Sequence, residues 1–366
     1  MDQSTSDPPL ATTIGPRIGS LCTGYGGLDQ AVRAVLGGRQ AWHADNDPGA
    51  RAILAHHWPT VPNLGDITAL DFRTVAPVDV LTAGWPCQPN SVAGKRAGMA
   101  DERWIFDAIL NAARDLDPRP GLLVLENVPG LLTVDNGDAM ARVVHGLAHF
   151  GYVGRYRVLS AADVGAAHLR RRVFITAWPA SDTCGPRLAR RGTTRPTPHG
   201  GSGTATGLSL LPTPRVSDAN GTGLHGSGGA DLRTTVSLLP TPRATDGDKG
   251  GPNQRGRRAN DVALPAAVQP ERWGKYAAAV ARWERVTDRP APAHTAPNRD
   301  GQPRLNPAFV EWLMGLTPGH VTDVPDLSRT AQLKALGNGV IPAQAAAALR
   351  LLLADRVTTD TGEAAA

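Results

Sequence analysis

The sequence has few cysteines and no long apolar run. Its three cysteines, Cys22, Cys87 and Cys184, lie far apart and form no C-x-x-C pair, so neither a disulfide framework nor a zinc site is expected. A reduced, cytoplasmic setting fits this pattern. No run of about 18 uncharged apolar residues occurs, and residues 1–13 are polar, so we expect neither an export signal nor a membrane span.

The excess of positive charge is small, but it is concentrated. The 366 residues carry 38 Lys and Arg against 33 Asp and Glu. Seven arginines fall between Arg170 and Arg195, where Asp182 is the one carboxylate. A basic patch of this kind favours phosphate binding, although a solvated surface stretch explains it equally well. The length exceeds that of a typical domain, so we expect one large core and a second region.

Between residues 17 and 178, short apolar stretches alternate with amphipathic helical patterns. Alternation of this kind predicts an α/β fold, with a mostly parallel sheet covered by helices. The predicted strands span residues 18–22, 40–44, 78–82, 122–125, 152–159 and 173–177, and the predicted helices span residues 28–36, 48–57, 104–114 and 138–150.

The composition changes between residues 179 and 303, where Gly, Pro, Thr, Ser and Arg predominate and only residues 273–286 show a clear helical pattern. The heptapeptide Ser-Leu-Leu-Pro-Thr-Pro-Arg at 209–215 returns at 237–243. Each copy would form an extended element whose arginine, Arg215 or Arg243, reaches a phosphate or a base edge; a pair of similar loops is an equal alternative. Helical spacing returns at residue 305, and residues 343–353 are predicted to form an amphipathic helix.

A thiol and a carboxylate follow two of the predicted strands. Cys87 comes after the strand at 78–82, and Glu126 follows the strand at 122–125. In open α/β sheets the carboxyl ends of the strands line the ligand crevice, so the two side chains would meet at one edge of the sheet. We interpret them as a candidate active site with a nucleophile and an acid on separate strands.

Four short motifs accompany this pair along the chain: Pro-Cys-Gln at 86–88, Glu-Asn-Val at 126–128, Arg-Arg-Arg at 170–172 and Gly-Asn-Gly-Val at 337–340. Together with a glycine-rich loop before them, they resemble the motifs of DNA cytosine-5 methyltransferases over residues 17–178 and 305–353. The resemblance implies a Rossmann-like S-adenosylmethionine-dependent methyltransferase fold with a smaller, irregular target recognition domain. It also implies a sequence-specific enzyme that methylates C5 of a flipped-out cytosine, in a restriction–modification or a phage DNA-protection role.

The same resemblance divides the chain into five parts. We expect a disordered N-terminus at 1–15, a catalytic and cofactor-binding domain at 16–179, a target recognition region at 180–304, a C-terminal segment at 305–356 that packs back on the catalytic domain, and a disordered tail at 357–366. The expected partner is double-stranded DNA, bound by a monomer that needs no metal and contacts no membrane.

The resemblance assigns the chemistry to five residues. Cys87 would add to C6 of the cytosine and so activate C5 for methyl transfer, with Gln88 beside it as a hydrogen-bond donor. Glu126 would meet the Watson–Crick edge of the base, and Asn127 would orient the loop that follows. Arg172 would pair with Glu126 or with O2 of the cytosine.

The glycine-rich loop between the first predicted strand and helix is the candidate cofactor loop. Alone it would also suit NAD, FAD or a nucleotide, or form only a tight turn. Without the resemblance, Asp45 and Asp66 are better explained as turn or helix-capping carboxylates. The resemblance favours S-adenosylmethionine and implies that the contacts come from Cys22, Thr23, Gly24, Gly26, Gly27, Leu28, Asp45, Asp66, Ile67, Pro86, Asn338 and Val340.

The implied DNA contacts lie in the loop after the nucleophile, in the arginine motif and in the repeat. They are Ser91, Lys95, Arg96, Arg170, Arg215 and Arg243, and Arg170 would act as a phosphate contact or a positioning contact. The chain departs from the family pattern at four positions. Asn46 replaces an aromatic residue that stacks on adenine, Asn90 replaces Phe or Trp, and His168 replaces Gln. Gly339 replaces the common Ser, where only a hydroxyl group would be lost.

Two other functions fit the same motifs. The first is a related tRNA cytosine methyltransferase, although the long insert and the lack of a Cys-Phe-Thr signature speak against it. The second is a catalytically dead DNA-binding protein. Its only support is the set of departures at Asn46, Asn90 and His168, because the residues assigned to the chemistry are all present.

Overall fold

A computed structural model describes residues 15–85, 105–181, 238–247, 263–268, 274–298 and 301–354. The first repeat copy and the two predicted disordered ends, apart from Gly15, lie outside these residues. The predicted helix at 273–286 is observed as a 3₁₀ turn followed by a helix at Ala277–Thr287.

In the first part of the chain, the described residues form six strands and four α-helices. The strands are β1 (Arg17–Leu21), β2 (Arg39–Ala44), β3 (Val80–Gly84), β4 (Leu122–Asn127), β5 (Tyr152–Leu159) and β6 (Arg172–Pro179). The helices are α1 (Gly27–Leu36), α2 (Pro48–His57), α3 (Phe106–Asp115) and α4 (Asp138–His149).

The six strands form one sheet in the order β2-β1-β3-β4-β6-β5. Strands β1 to β4 are mutually parallel, whereas β6 is antiparallel to both of its neighbours, β4 and β5. The predicted mostly parallel sheet is therefore confirmed. Because β6 runs the opposite way, its first residue, Arg172, lies at the edge where β1 to β4 end. This edge is where the candidate site forms.

Apolar side chains cover both faces of the sheet. One face packs against α3 and α4 in a buried cluster that includes Leu21, Trp42, Leu81 and Leu125. The other face packs against α1 and the last helix of the chain. Strands buried on both faces are expected to be continuously apolar. Residues 122–125 of β4 have this character, and its last two residues, Glu126 and Asn127, are buried as well although they are polar.

Helix α2 shows how local sequence sets an element. Its N-cap, Asp47, accepts hydrogen bonds from the amides of Gly49 and Ala50, and Pro48 occupies the first turn. A capping carboxylate followed by proline is a strong helix-start signal. The observed helix accordingly has the predicted bounds, residues 48–57.

The later part of the chain adds a second apolar cluster around Trp283, Phe309 and Leu313. Its elements are α5 (Leu264–Ala267), α6 (Ala277–Thr287), β7 (Thr295–Pro297), β8 (Pro303–Leu305), α7 (Pro307–Leu313), α8 (Arg329–Asn338) and α9 (Pro342–Ala354). Helix α9 packs on α1 of the first part, and Ala345, Ala348 and Leu349 are buried there.

Among the described residues, Arg329–Ala354 is the one stretch with the length and hydropathy of a membrane-spanning helix. It consists of two helices, because α8 ends at Asn338 and α9 begins at Pro342. More than half of its most apolar window is buried inside the fold. The stretch therefore supplies core helices of this structure.

Candidate active site

A buried ion pair lies at the carboxyl edge of the sheet. Glu126, near the end of β4, accepts a contact of 2.9 Å on Oε1 from Nε of Arg172 at the start of β6. Glu126 is 6% exposed. Burial raises the pKa of its carboxyl group, while the positive charges of Arg172 and Arg170 act in the opposite direction. The carboxyl group is thus held in a dry position beside a fixed cation.

Asn127 connects this pair to the end of the neighbouring strand. Its Nδ2 donates to the carbonyl oxygen of Trp85 at 3.2 Å, and its Oδ1 accepts from the amide of Val128 at 2.8 Å. Trp85 is the last described residue before the segment that contains Cys87. Asn127 therefore fixes the point at which the chain leaves β3 toward the predicted nucleophile.

Several predicted site residues lie outside the described part of the chain. They are Pro86, Cys87, Gln88, Ser91, Lys95, Arg96 and Arg215. Their roles remain predictions.

Gly84 marks where the acid, the cofactor loop and the last motif converge. A Cβ atom at Gly84 would lie 3.4 Å from Oε2 of Glu126, 3.9 Å from Val340 and 4.0 Å from the carbonyl oxygen of Cys22. Together with Gly84, these three groups come from four separate segments of the chain. The structure thus brings residues predicted for catalysis and for cofactor binding within a few ångströms of one another.

The glycine-rich loop is shaped by residues with positive φ. Cys22, Gly24 and Gly26 have φ of 51°, 58° and 79°, and no atom lies within 4 Å of a Cβ built on Gly24. Helix α1 begins at Gly27 without a side-chain cap. The loop therefore leaves open space in front of a helix N-terminus, an arrangement that favours an anionic group.

The thiol of Cys22 is buried in this loop. Burial is the main reason that its pKa is raised to about 12, and Asp45 and Asp66 add to the shift. A thiol with such a pKa carries almost no thiolate near neutrality. Cys22 thus fits a packing role in the cofactor loop and not that of a nucleophile.

The two predicted cofactor carboxylates each accept hydrogen bonds from nearby backbone amides. Asp45 accepts from the amides of Gly24 (2.8 Å) and Asp47 (2.9 Å), which joins the end of β2 to the glycine-rich loop. Asn46 donates from Nδ2 to Asp66 Oδ2 at 3.0 Å. Both carboxylates thus have turn-forming roles, and the second lone pairs of their oxygens leave room for a ligand as well. Ile67 beside them is buried.

The motif at 337–340 packs directly on the glycine-rich loop. The hydroxyl group of Tyr25 donates to the carbonyl oxygen of Val340 at 2.7 Å. A Cβ at Gly339 would lie 1.8 Å from the Tyr25 ring, and one at Gly27 would lie 2.1 Å from the Val340 oxygen. The interpretation that Gly339 merely lacks a serine hydroxyl is therefore wrong, because no side chain fits there while Tyr25 holds its place. Asn338 between the two glycines is exposed.

Arg170 does not lie at a DNA-facing surface, which corrects its assignment as a phosphate contact. The residue is 1% exposed, and its guanidinium donates to the carbonyl oxygens of Pro242, Gly337 and Gly339. Burial, reinforced by the nearby charge of Arg172, lowers its pKa to about 9. With these bonds made inside the protein, Arg170 has no surface to offer a phosphate.

Two further predicted residues are also enclosed by the fold. His168 is fully buried, and burial together with Arg170 and Arg172 lowers the pKa of its imidazole to about 3, so the ring is neutral near pH 7. Arg243 is partly buried, and its amide donates to Asp246 Oδ2 at 2.8 Å.

One residue of the site was not foreseen from the sequence. Tyr25 is fully buried and contacts both halves of the candidate cofactor site. A large aromatic residue between the glycines of a tight loop is the signal that could have identified it. Groups of His, Cys, Asp or Glu arranged to hold a metal are absent from the described part of the chain.

Three comparisons connect the chain to known methyltransferases. Residues 17–187 match the model of the C-5 cytosine-specific DNA methylases. The Type II methyltransferase M.MspI of Moraxella sp is 33% identical over 160 residues, which are 43% of this chain and 37% of that protein. A DNA N-6-adenine-methyltransferase of Escherichia phage P1 is 40% identical over 127 residues, 31% of this chain and 17% of that protein. The chain thus spans less than two fifths of the length of either relative.

A solved structure is similar over nearly the whole chain. The S. pombe Dnmt2 methyltransferase superposes with a TM-score of 0.55 and 15% sequence identity, covering 93% of this chain and 99% of that chain. At this identity the similarity establishes the fold, a Rossmann-like methyltransferase sheet flanked by helices.

Proposed function

We propose that this chain, whose residues 17–187 match the model of the C-5 cytosine-specific DNA methylases, is a sequence-specific DNA cytosine-5 methyltransferase that uses S-adenosylmethionine. The buried Glu126–Arg172 pair carries the proposal. Nε of Arg172 and Oε1 of Glu126 lie 2.9 Å apart at the carboxyl edge of the sheet. The pair is next to the cofactor loop and to the strand that leads to Cys87. Activation of a cytosine ring requires an acid and a positive charge placed together in this way.

The chemistry begins with the nucleophile. C5 of cytosine is too electron-poor to take a methyl group directly. The Cys87 thiolate therefore first forms a bond to C6, and the π electrons of the ring shift so that negative charge develops toward N3 and O2. C5 then becomes nucleophilic and would form a bond to the methyl group as that group's bond to the sulfonium sulfur breaks and leaves a neutral thioether. Loss of the proton from C5 and elimination of the thiolate restore the aromatic ring and the free cysteine.

Glu126 and Arg172 act on the opposite edge of the base. As negative charge develops at N3, a neutral Glu126 carboxyl group donates a hydrogen bond or a proton to that nitrogen, and burial favours this neutral form by raising the carboxyl pKa. Arg172 holds Oε1 of Glu126 and adds a positive charge near O2. Asn127 keeps the start of the nucleophile segment beside them.

The residues around the glycine-rich loop fit S-adenosylmethionine. The open space at Gly24 and the uncapped start of α1 suit a carboxylate, and the carboxylates of Asp45 and Asp66 suit hydroxyl and amino groups. Trp85 has a buried indole Nε1 without a hydrogen-bond partner at the same edge, which offers a further donor. When bound, the cofactor supplies an electrophilic methyl group.

The target base must leave the helix to reach these residues, because C6 of a stacked cytosine is inaccessible to a thiol. Flipping costs about a few kcal/mol, which contacts made in the pocket offset. The remaining DNA contacts that we propose are Ser91, Lys95, Arg96 and Arg215. Type II methyltransferases among the relatives support a restriction–modification role, with phage DNA protection as the second candidate.

Covalent trapping tests the proposal. DNA fragments that contain 5-fluorocytosine in place of cytosine block the last step, since fluorine cannot leave as a proton. Wild-type protein with S-adenosylmethionine should form a complex with this DNA that survives denaturing electrophoresis. Cys87→Ser should form none, whereas Cys184→Ser should behave as the wild type.

The other functions predict different outcomes. A catalytically dead DNA-binding protein, or an enzyme that methylates the amino group of adenine, would form no adduct with fluorinated DNA. An adduct with 5-fluorocytidine tRNA alone would identify an RNA enzyme. Trapping by Cys87→Ser would refute the assignment of the nucleophile.

A further inference from the structure

The second copy of the repeat is built into the fold next to the candidate site. Residues 238–247, here called the strap, run alongside the segment between β5 and β6. The amide of Leu239 donates to the carbonyl oxygen of Ala167 at 2.8 Å, and the side chain of Leu239 is 2% exposed. Thr241 Oγ1 accepts from the amide of Arg170 at 3.2 Å. The strap is therefore bonded to the chain just before Arg172.

The other side of the strap packs on α8. A Cβ at Gly337 would lie 2.1 Å from the amide nitrogen of Ala244, and a Cβ at Gly247 would lie 3.0 Å from the carbonyl oxygen of Thr330. At both points the atoms that a new Cβ would meet belong to the backbone, so a side-chain rotation could not remove the clash. The strap and α8 are therefore in close backbone contact. The strap is thus held between residues 167–170 and the helix that ends at Asn338.

Arg170 connects the strap to the cofactor motif. Its Nη1 donates to the carbonyl oxygen of Pro242 in the strap at 3.1 Å, and its Nη2 donates to the carbonyl oxygens of Gly337 and Gly339. Within the described part of the chain, this guanidinium donates its hydrogen bonds only to backbone carbonyl oxygens. A buried cation whose two terminal nitrogens donate to carbonyl oxygens in this way fixes the positions of the segments that supply those oxygens.

These bonds leave Asn338 with a defined backbone. The carbonyls on either side of it are held by Arg170, and that of Val340 is held by the Tyr25 hydroxyl group. Asn338 itself remains exposed. We infer that Arg170 and the strap are a positioning device for the cofactor site, and that the second repeat copy serves this purpose and does not read bases.

This inference rests on the proposed function, because it takes the motif around Asn338 to contact S-adenosylmethionine. It also separates the roles of the two repeat copies, which the sequence alone treats as equivalent. Base recognition then falls to other parts of the region between residues 180 and 304.

Equilibrium binding of S-adenosylhomocysteine without DNA tests the inference. Isothermal titration would compare the wild type with Arg170→Lys, whose compact ammonium group cannot occupy the positions of both Nη1 and Nη2, and with Thr241→Val in the strap. We expect Arg170→Lys to weaken binding at least about tenfold and Thr241→Val several-fold. Arg171→Gln, which changes an exposed neighbour, should bind within about twofold of the wild type.

Steady-state kinetics separate positioning from mere stabilisation. The KM for S-adenosylmethionine should rise in Arg170→Lys and Thr241→Val while the KM for DNA and the methylated sequence stay unchanged. If Arg170→Lys does not fold, Thr241→Val decides the outcome. Wild-type affinity in the folded variants, or a changed methylated sequence in Thr241→Val, would overturn the inference. Wild-type protein that binds S-adenosylhomocysteine but methylates no DNA would instead refute the proposed function alone.

Discussion

Replacing Gly339 with serine, the residue common at this position in the DNA cytosine-5 methyltransferases that the motifs resemble, should destabilise this chain. Gly339 has φ of −71°, which any residue can adopt, so the backbone itself is no obstacle. The obstacle is the ring of Tyr25, 1.8 Å from where the new Cβ would lie. This ring is fully buried and its hydroxyl group is bonded to Val340, so it has little room to move.

The magnitude follows from overpacking. Forcing one extra group into a close-packed core costs about 1–3 kcal/mol. We therefore expect Gly339→Ser to lower the free energy of unfolding by this amount, measured from the midpoint of urea unfolding. Gly339→Ala should cost about the same, since the clash comes from Cβ and not from the hydroxyl group.

A double-mutant cycle with Tyr25→Ala identifies the cause. Removing the ring costs about 3–5 kcal/mol by itself, but it leaves space for the new side chain. In that background Gly339→Ser should be nearly neutral, so the coupling energy should equal the cost of the single change. An equal cost of Gly339→Ser with and without the ring would refute the reasoning, as would wild-type stability of Gly339→Ser.

Three other predictions concern buried polar groups. Glu126→Gln should lower kcat by about 10²–10⁴ in a labelled-methyl assay and leave DNA binding in gel shifts intact, because the amide cannot supply a proton to the base. Asn127→Ala should lower kcat with little change in the KM for S-adenosylmethionine, since it removes the hydrogen bond to Trp85. Burial raises the pKa of Asp29 from 3.8 to about 6, so its stabilising contribution should be complete below pH 4 and lost as pH rises through 6. The shift corresponds to at most roughly 3 kcal/mol of unfolding free energy. Asp29→Asn should therefore make the urea midpoint less dependent on pH over this range.

Each of these predictions has a clear contrary result. Unchanged kcat in Glu126→Gln would remove the carboxyl group from the chemistry. A raised KM for S-adenosylmethionine with normal kcat in Asn127→Ala would place that residue in cofactor binding. An unchanged pH slope in Asp29→Asn would show that Asp29, which accepts a hydrogen bond of 2.5 Å from Thr82 Oγ1, does not titrate in this range.

The parts of the fold that can be predicted from the sequence are those with a local sequence signal. The bounds of α2 follow from Asp47 and Pro48, and β4 follows from a run of buried apolar residues. The reversed direction of β6 has no local signal, because it depends on the neighbours that the strand finds in the sheet. Helix α8 was not predicted either, since its apolar residues do not line one face and its packing comes from the strap on one side and α2 on another.

The contacts of the candidate site likewise include some that the sequence predicts and some that it does not. The meeting of Glu126 and Arg172 is implied by the motifs. The burial of Arg170 is not, because its partners at Pro242, Gly337 and Gly339 are distant in sequence and only the folded chain brings them together. The packing of Tyr25 on Gly339 likewise depends on contacts between the two ends of the chain.

Methylation mapping tests the central claim most directly. The chain would be expressed in a bacterial host that lacks cytosine methylation, and 5-methylcytosine would be mapped across the genome by bisulfite conversion, with Cys87→Ser in parallel. We predict methylation at one short recurring sequence with the wild-type chain and none with the variant. Absence of 5-methylcytosine with well-expressed wild-type protein, or persistence of the pattern in Cys87→Ser, would contradict the account.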